Sequence, residues 1–222
     1  MPTVLAFPQA FQNSNWPALI VGLLVAAYWA RVVRMVRRTR KAAGHGANFV
    51  PPEPLGRALR VLWMPVVGLW VLLPLLAFFV PMVPRGVEFA LGRVFYVPLL
   101  AWGAALVAIA AFAATLVCWK KMGKSWRMGI DPDDKTQLVC SGPYAYVRHP
   151  IYALSSLLML MTMVVVPSPL MLAVGFIHLA LLQWEAGREE RYLIQLHGED
   201  YRTYRSHTGR FLPRSLSGYT PQ

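Results

Sequence analysis

The chain has 222 residues, 56% of them hydrophobic and 14% charged, with a formal net charge of +12. Soluble domains carry about 25% charged residues, so the deficit excludes an ordinary water-soluble globule and makes lipid part of the solvent. The positive charge lies beside apolar runs, which fits membrane topology and anionic-lipid contact and argues against nucleic acid as a partner.

Residues 1–16 contain no Lys or Arg. Without a positive n-region, no cleaved signal peptide is expected there. The first apolar run, 17–30, reaches the roughly 20 residues of a membrane helix when Trp16 and Val32-Val33 are added. Arg31, Arg34, Arg37, Arg38, Arg40 and Lys41 follow it. Residues 31–60, with Gly44, Gly46 and Pro51-Pro52-Glu53-Pro54, read as a basic connecting loop. A second span is predicted over 61–83 and a third over 94–118, joined by a loop at 84–93 holding only Arg85 and Arg93. The third ends at Trp119-Lys120-Lys121, before a polar loop from Met122 to Gly129 and a turn at Asp131-Pro132-Asp133-Asp134. Gln137 to Cys140 reads as a short extended piece.

Runs 151–166 and 169–183 are short and are separated by Pro167-Ser168-Pro169, which cannot continue a helix. They predict a helical hairpin over 151–184 that need not cross the bilayer fully. Its second helix should leave the membrane through Glu185 and end at His197-Gly198, because Gly commonly follows a helix C-terminus. The expected fold is therefore an all-α integral membrane protein with about five transmembrane helices. Lys and Arg gather in the loops that remain cytoplasmic, which places the N-terminus outside and the C-terminus inside. The expected location is a bacterial inner membrane.

Several chemistries have no support. There is no G-x-G-x-x-G after a strand, no P-loop and no nucleophile elbow. The five histidines are scattered and Cys118 and Cys140 lack metal-type spacing, so neither a metal site nor a disulfide is expected. His178 lies within an apolar helix, where an ionisable residue is a functional suspect or a neutral hydrogen-bonding group.

What remains is Ser141-Gly142-Pro143-Tyr144-Ala145-Tyr146-Val147-Arg148-His149-Pro150-Ile151-Tyr152. Pro150 suits the first turn of a helix, leaving Arg148 and His149 beside an anion-attracting helix N-terminus. The tyrosines could be interfacial anchors or ligand faces. Glu189-Glu190, flanked by Arg188 and Arg191, could be a solvated salt-bridged face or the opposite wall of a site. Both clusters fall on one side of the membrane and are joined by one hairpin, which favours the second reading of each.

Gly142-Pro143-Tyr144, Val147-Arg148-His149-Pro150 and Tyr152 resemble the isoprenylcysteine carboxyl methyltransferase family and the related phospholipid N-methyltransferases. So do Glu189-Glu190, Leu193, Gly198, Tyr201, Tyr204, Arg210 and Pro213, and upstream Gly123, Ser125-Trp126-Arg127 and Gly129. The resemblance covers about residues 94–214. It departs at Ala153-Leu154, where many relatives have a small residue followed by glycine. It implies residues 94–222 as a methyltransferase core behind N-terminal membrane helices and a basic connector at 1–93. It also implies S-adenosylmethionine as cofactor, in a cytoplasmic pocket between the 119–150 loop and the 185–214 tail. On this resemblance Tyr144, Tyr146, Val147, Arg148, His149, Tyr152, Glu189 and Glu190 line the cofactor site, with His149, Arg148 and Glu189 in catalytic roles. Tyr201, Tyr204 and Arg210 lie on the acceptor side.

The expected activity is methyl transfer to a lipophilic acceptor entering from the bilayer, an isoprenylcysteine-type carboxylate by resemblance. Phospholipid amines and small thiols are alternative acceptors. For an ammonium acceptor, which must lose a proton, His149 is the nearest base. Two other classes are an NADPH-dependent membrane reductase and a non-catalytic membrane scaffold.

Overall fold

The computed structural model describes residues 15–43, 54–79, 97–123, 126 and 137–220. Five α-helices occur among them: α1 (Trp16–Ala43), α2 (Pro54–Phe79), α3 (Pro98–Met122), α4 (Pro150–Val165) and α5 (Pro169–His207), with a 3₁₀ turn at Gly142–Ala145 before α4. The all-α membrane architecture expected from the sequence is the one observed. Four helices are long and apolar enough to cross a membrane, and α4 is shorter. The 16 residues of α4 reach about 24 Å, against a hydrocarbon core of about 30 Å.

Local chemistry sets the helix starts. Asn15 caps α1, its Oδ1 accepting from the Ala18 amide at 3.2 Å. Ser168 caps α5 in the same way, its Oγ accepting from the Met171 amide at 3.2 Å. Pro150 and Pro169 occupy the first positions of α4 and α5, where a missing N–H costs nothing. The predicted reversal at Pro167-Ser168-Pro169 is present as the link between them.

Two sequence expectations are corrected. Residues 31–43 and 54–60 are not loop, because α1 continues unbroken to Ala43 and α2 begins at Pro54. Val32 and Val36 are buried, four residues apart, so they supply an apolar stripe that carries the helix past the charges. Second, α5 does not end at Gly198. The chain kinks there, with φ 56° and ψ −122°, and helix resumes to His207. Positive φ is cheap for glycine, so it redirects the helix without ending it. The expected features at Gly44, Gly46, Pro51-Pro52-Glu53, residues 80–96 and residues 127–136 lie outside the described residues, as do Lys124 and Ser125. Gln137–Cys140 has no regular structure.

The chain forms two compact units. Of the described residues, one takes 15–30, 63–79, 97–112 and 157–179. Polar bonds between its helices sit among packed aromatics: Trp63 Nε1 donates to His178 Nδ1 at 3.1 Å, Trp70 Nε1 to Thr162 Oγ1 at 3.0 Å and Asn15 Nδ2 to the Val165 carbonyl at 3.0 Å. In lipid, where apolar burial drives little association, such bonds and close packing hold helices together. His178 is thus a bonded, fully buried member of this core, packed 4.5 Å from the Trp70 ring. The other unit takes, of the described residues, 31–43, 54–62, 113–123, 126, 137–156 and 180–220. Its apolar centre includes Cys140, Tyr201 and Tyr204, with Leu138, Leu193, Ile194 and Tyr219 against them.

Candidate functional site

Three segments of the second unit meet around His149: the turn before α4, the polar half of α5 and the tail after it. The tail is attached through its main chain. Val147 pairs with Gly209 in a parallel bridge, Arg148 N donates to the Gly209 carbonyl at 2.8 Å, and His149 N donates to the Arg210 carbonyl at 3.1 Å. Gly209 is required by space, since a Cβ there would collide with the Leu212 carbonyl oxygen. Further on, Tyr219 N donates to the Ala145 carbonyl at 2.8 Å. The His149 amide is therefore committed to the tail.

Glu190 is the hub. Its side chain is 3% exposed, and it accepts from Arg148 Nε at 3.1 Å and from Arg210 Nε and Nη2 at 2.9 and 2.7 Å. Arg148 also donates through Nη1 to the Thr208 carbonyl and to the Arg205 carbonyl at 3.0 Å. Burial opposes the charge on Glu190, but the nearby His149 ring, hydrogen bonds from Arg210 and Arg148 and the Arg148 charge prevail, holding its carboxyl well below the usual range. The same pairing raises the Arg210 guanidinium above its ordinary value. Arg148 and Glu190 thus satisfy each other and lock the tail.

Glu189 faces differently. Its side chain is 22% exposed, and its Oε2 lies 3.4 Å from His149 Nδ1. Tyr152 donates its hydroxyl to Glu189 Oε1, and its ring stacks on His149 with centroids 5.5 Å apart and planes 4° from parallel. Phe211 from the tail meets the His149 ring edge-on at 6.3 Å. A carboxylate with remaining exposure beside aromatic faces suits a cationic or hydroxyl-bearing ligand.

The other expected site residues are distributed around this centre. Tyr144 is buried, its hydroxyl 3.4 Å from Met122 Sδ, and burial raises its pKa further. Tyr146 is 42% exposed, and Val147 is held in the bridge to the tail. Tyr201 and Tyr204 are 1% and 2% exposed. Tyr204 donates to the Tyr144 carbonyl at 2.6 Å, so both stand in the packed centre beneath the tail, while Arg210 reaches Glu190.

Sequence reasoning missed Arg60 and Glu185. Arg60, on α2, donates from Nη2 to Glu185 Oε1 at 2.9 Å, with side chains 5% and 4% exposed. Glu185 is one helical turn before Glu189, and Arg188 approaches it at 3.8 Å. A lone carboxylate ending an apolar run was the available signal. Thr208, Gly209 and Phe211 were also missed, since the short bridge they form leaves no strand-like pattern. Among the described residues there is no group of three or more His, Cys, Asp or Glu placed to hold a metal.

The family model described as "Isoprenylcysteine carboxyl methyltransferase (ICMT) family" matches residues 104–195. No curated protein and no solved structure matches the chain. The matched stretch contains Arg148, His149, Tyr152, Glu189 and Glu190, and the family supports a membrane methyltransferase. Methyltransferases of this family use S-adenosylmethionine. The segment carrying the His149 cluster is thus similar, over residues 104–195, to the isoprenylcysteine carboxyl methyltransferase family.

Proposed function

We propose that this chain is an S-adenosylmethionine-dependent membrane methyltransferase, acting on a lipophilic carboxylate presented from the bilayer. The observation carrying this reading is the pairing of a partly exposed Glu189 with the stacked His149 and Tyr152 rings at the start of an apolar hairpin. The cofactor is a zwitterion with an added sulfonium charge. Its ammonium or ribose hydroxyls suit Glu189, and its sulfonium suits the aromatic faces, at about 0.5–2 kcal/mol for a cation over a ring. When bound, it supplies an electrophilic methyl group. The protein residues orient the two reactants, which is the main requirement of an in-line displacement. Arg148, Glu190 and Arg210 fix the wall on which Glu189 stands.

Residues 94–222 form the catalytic core in this reading, with the C-terminus cytoplasmic and the N-terminus outside. Phospholipid amines and small thiols are the other acceptor classes. Both His149 ring nitrogens face carboxylates, which favours an acceptor that arrives already deprotonated.

Calorimetry on the detergent-purified chain tests the proposal. S-Adenosylmethionine and S-adenosylhomocysteine should bind, and Glu189→Ala should weaken both at least tenfold, about 1.4 kcal/mol. Binding of NADPH alone would instead identify a reductase, and binding of none of the three a scaffold. Transfer of a labelled methyl group to candidate lipids then identifies the acceptor.

A further inference from the structure

We infer that His149 is a fixed imidazolium that positions Glu189 and Glu190, and that it is not a proton-accepting base. This rests on the proposed cofactor site for its consequence, though not for its geometry. Nδ1 lies 3.4 Å from Glu189 Oε2 and Nε2 lies 3.5 Å from Glu190 Oε1. A neutral imidazole has one N–H and one lone pair. It would therefore point a lone pair at one of two carboxylates. Only the doubly protonated ring presents a donor to each. At 3.4–3.5 Å these are ion-pair approaches, and a charged ring gains from them where a neutral one does not.

The surroundings hold the ring in this orientation. From α4, Tyr152 stacks on one face and gives its own proton to Glu189. From the tail, Phe211 meets the ring edge-on, and the Arg210 carbonyl receives the His149 amide. The His149 carbonyl accepts from the Ala153 amide at 3.0 Å. Other charges reach Glu190: Arg148 at 3.1 Å, Arg210 at 2.7 Å and Arg205 at 3.9 Å. The two glutamates are the acidic groups against the ring, and the three arginines address Glu190. Glu189 has no arginine in the geometry described, so His149 and Tyr152 are what orient it. Burial alone would favour the neutral ring, but the two glutamates beside it outweigh burial and raise the His149 pKa above its ordinary value.

The sign of the pH dependence follows. A pKa raised by folding means that the cation is complete below the ordinary value of about 6.5 and persists above it. It is lost as pH rises through the folded value. Binding that depends on the cation is therefore constant at mildly acidic pH. It falls as the ring deprotonates and levels off at the affinity of the uncharged site, about tenfold lower.

Nitrogen-15 NMR of the histidine-labelled, detergent-solubilised full chain reads the protonation directly, with His149→Gln assigning the signal. Both ring nitrogens should carry protons at neutral pH. One protonated and one bare nitrogen would overturn the inference. Calorimetry with S-adenosylhomocysteine across pH 6–10 gives the second readout. Wild-type affinity should fall on the alkaline side, while His149→Gln should bind more weakly, by about tenfold, with that alkaline fall removed. Affinity that instead rises with a titration below pH 6.5 would identify a base and overturn the inference. A doubly protonated ring in a protein that binds no methyl donor would uphold the imidazolium and sink the proposed function, so the two failures are distinct. Where His149→Gln fails to fold, Glu189→Gln assigns the signal instead, through the change it makes at a ring nitrogen 3.4 Å away.

Discussion

Side by side on α5, Glu189 keeps 22% of its side chain exposed whereas Glu190 keeps 3%, and neutralising each should have a different consequence. Glu190→Gln removes the charge holding Arg148 and Arg210, and breaking a buried ion pair on one side costs about 3–5 kcal/mol. Its thermal unfolding midpoint in detergent should drop sharply. Glu189→Gln should leave that midpoint close to wild type and lower methyl-donor affinity. Equal loss of stability in both variants would contradict the division. Because folding depresses the Glu190 carboxyl, its contribution is complete above the ordinary carboxyl value of about 4.3. It is lost as pH falls through the folded value. Acid titration should therefore destabilise the wild type more than Glu190→Gln. The sequence made an asymmetry legible, because successive helical positions point roughly 100° apart and one glutamate can face a pocket while the other faces solvent, but not which of the two would be the buried hub.

At the scale of elements, the sequence foretold most where one local force decides. The hairpin was legible because Pro167-Ser168-Pro169 admits no helix, and the spans were legible from their apolar runs. The extension of α1 was not, because Val32 and Val36 are too sparse an apolar signal among five arginines and a lysine. The continuation past Gly198 was missed for a related reason: a glycine marks a break in direction equally well at a kink and at an end. The Arg60–Glu185 pair shows the same limit, since 125 residues separate the partners and no local pattern joins them. Arg60→Met should destabilise the protein by about 3–5 kcal/mol by leaving a buried carboxylate short of its partner. Combined replacement, Arg60→Met with Glu185→Leu, should recover most of that loss in chemical or thermal unfolding. Failure to recover would show that the pair does more than satisfy itself. Arg60 lies outside the stretch matched by the family model, so α2 contributes to the unit that holds the site.

For the whole molecule, the charge distribution predicts an orientation that labelling can check. A cysteine introduced at Ser215, which is exposed, should react with a membrane-impermeant maleimide only after the cytoplasmic face is opened. One introduced at Thr3 should react in intact cells, with Cys118 and Cys140 replaced by serine in both variants. The reverse pattern would place the His149 cluster on the outer face and remove its access to an intracellular methyl donor.

The parallel bridge between Val147 and Gly209 also fixes when the site can exist. Ribosomes deliver the chain from its N-terminus, so Arg148, His149 and both hairpin helices are made before Thr208, Gly209, Arg210 and Phe211. Until those last residues emerge, Glu190 has no Arg210, Arg148 lacks its Thr208 carbonyl and the His149 ring has no Phe211 beside it. Assembly of the His149 cluster thus follows the synthesis of the membrane helices that it joins.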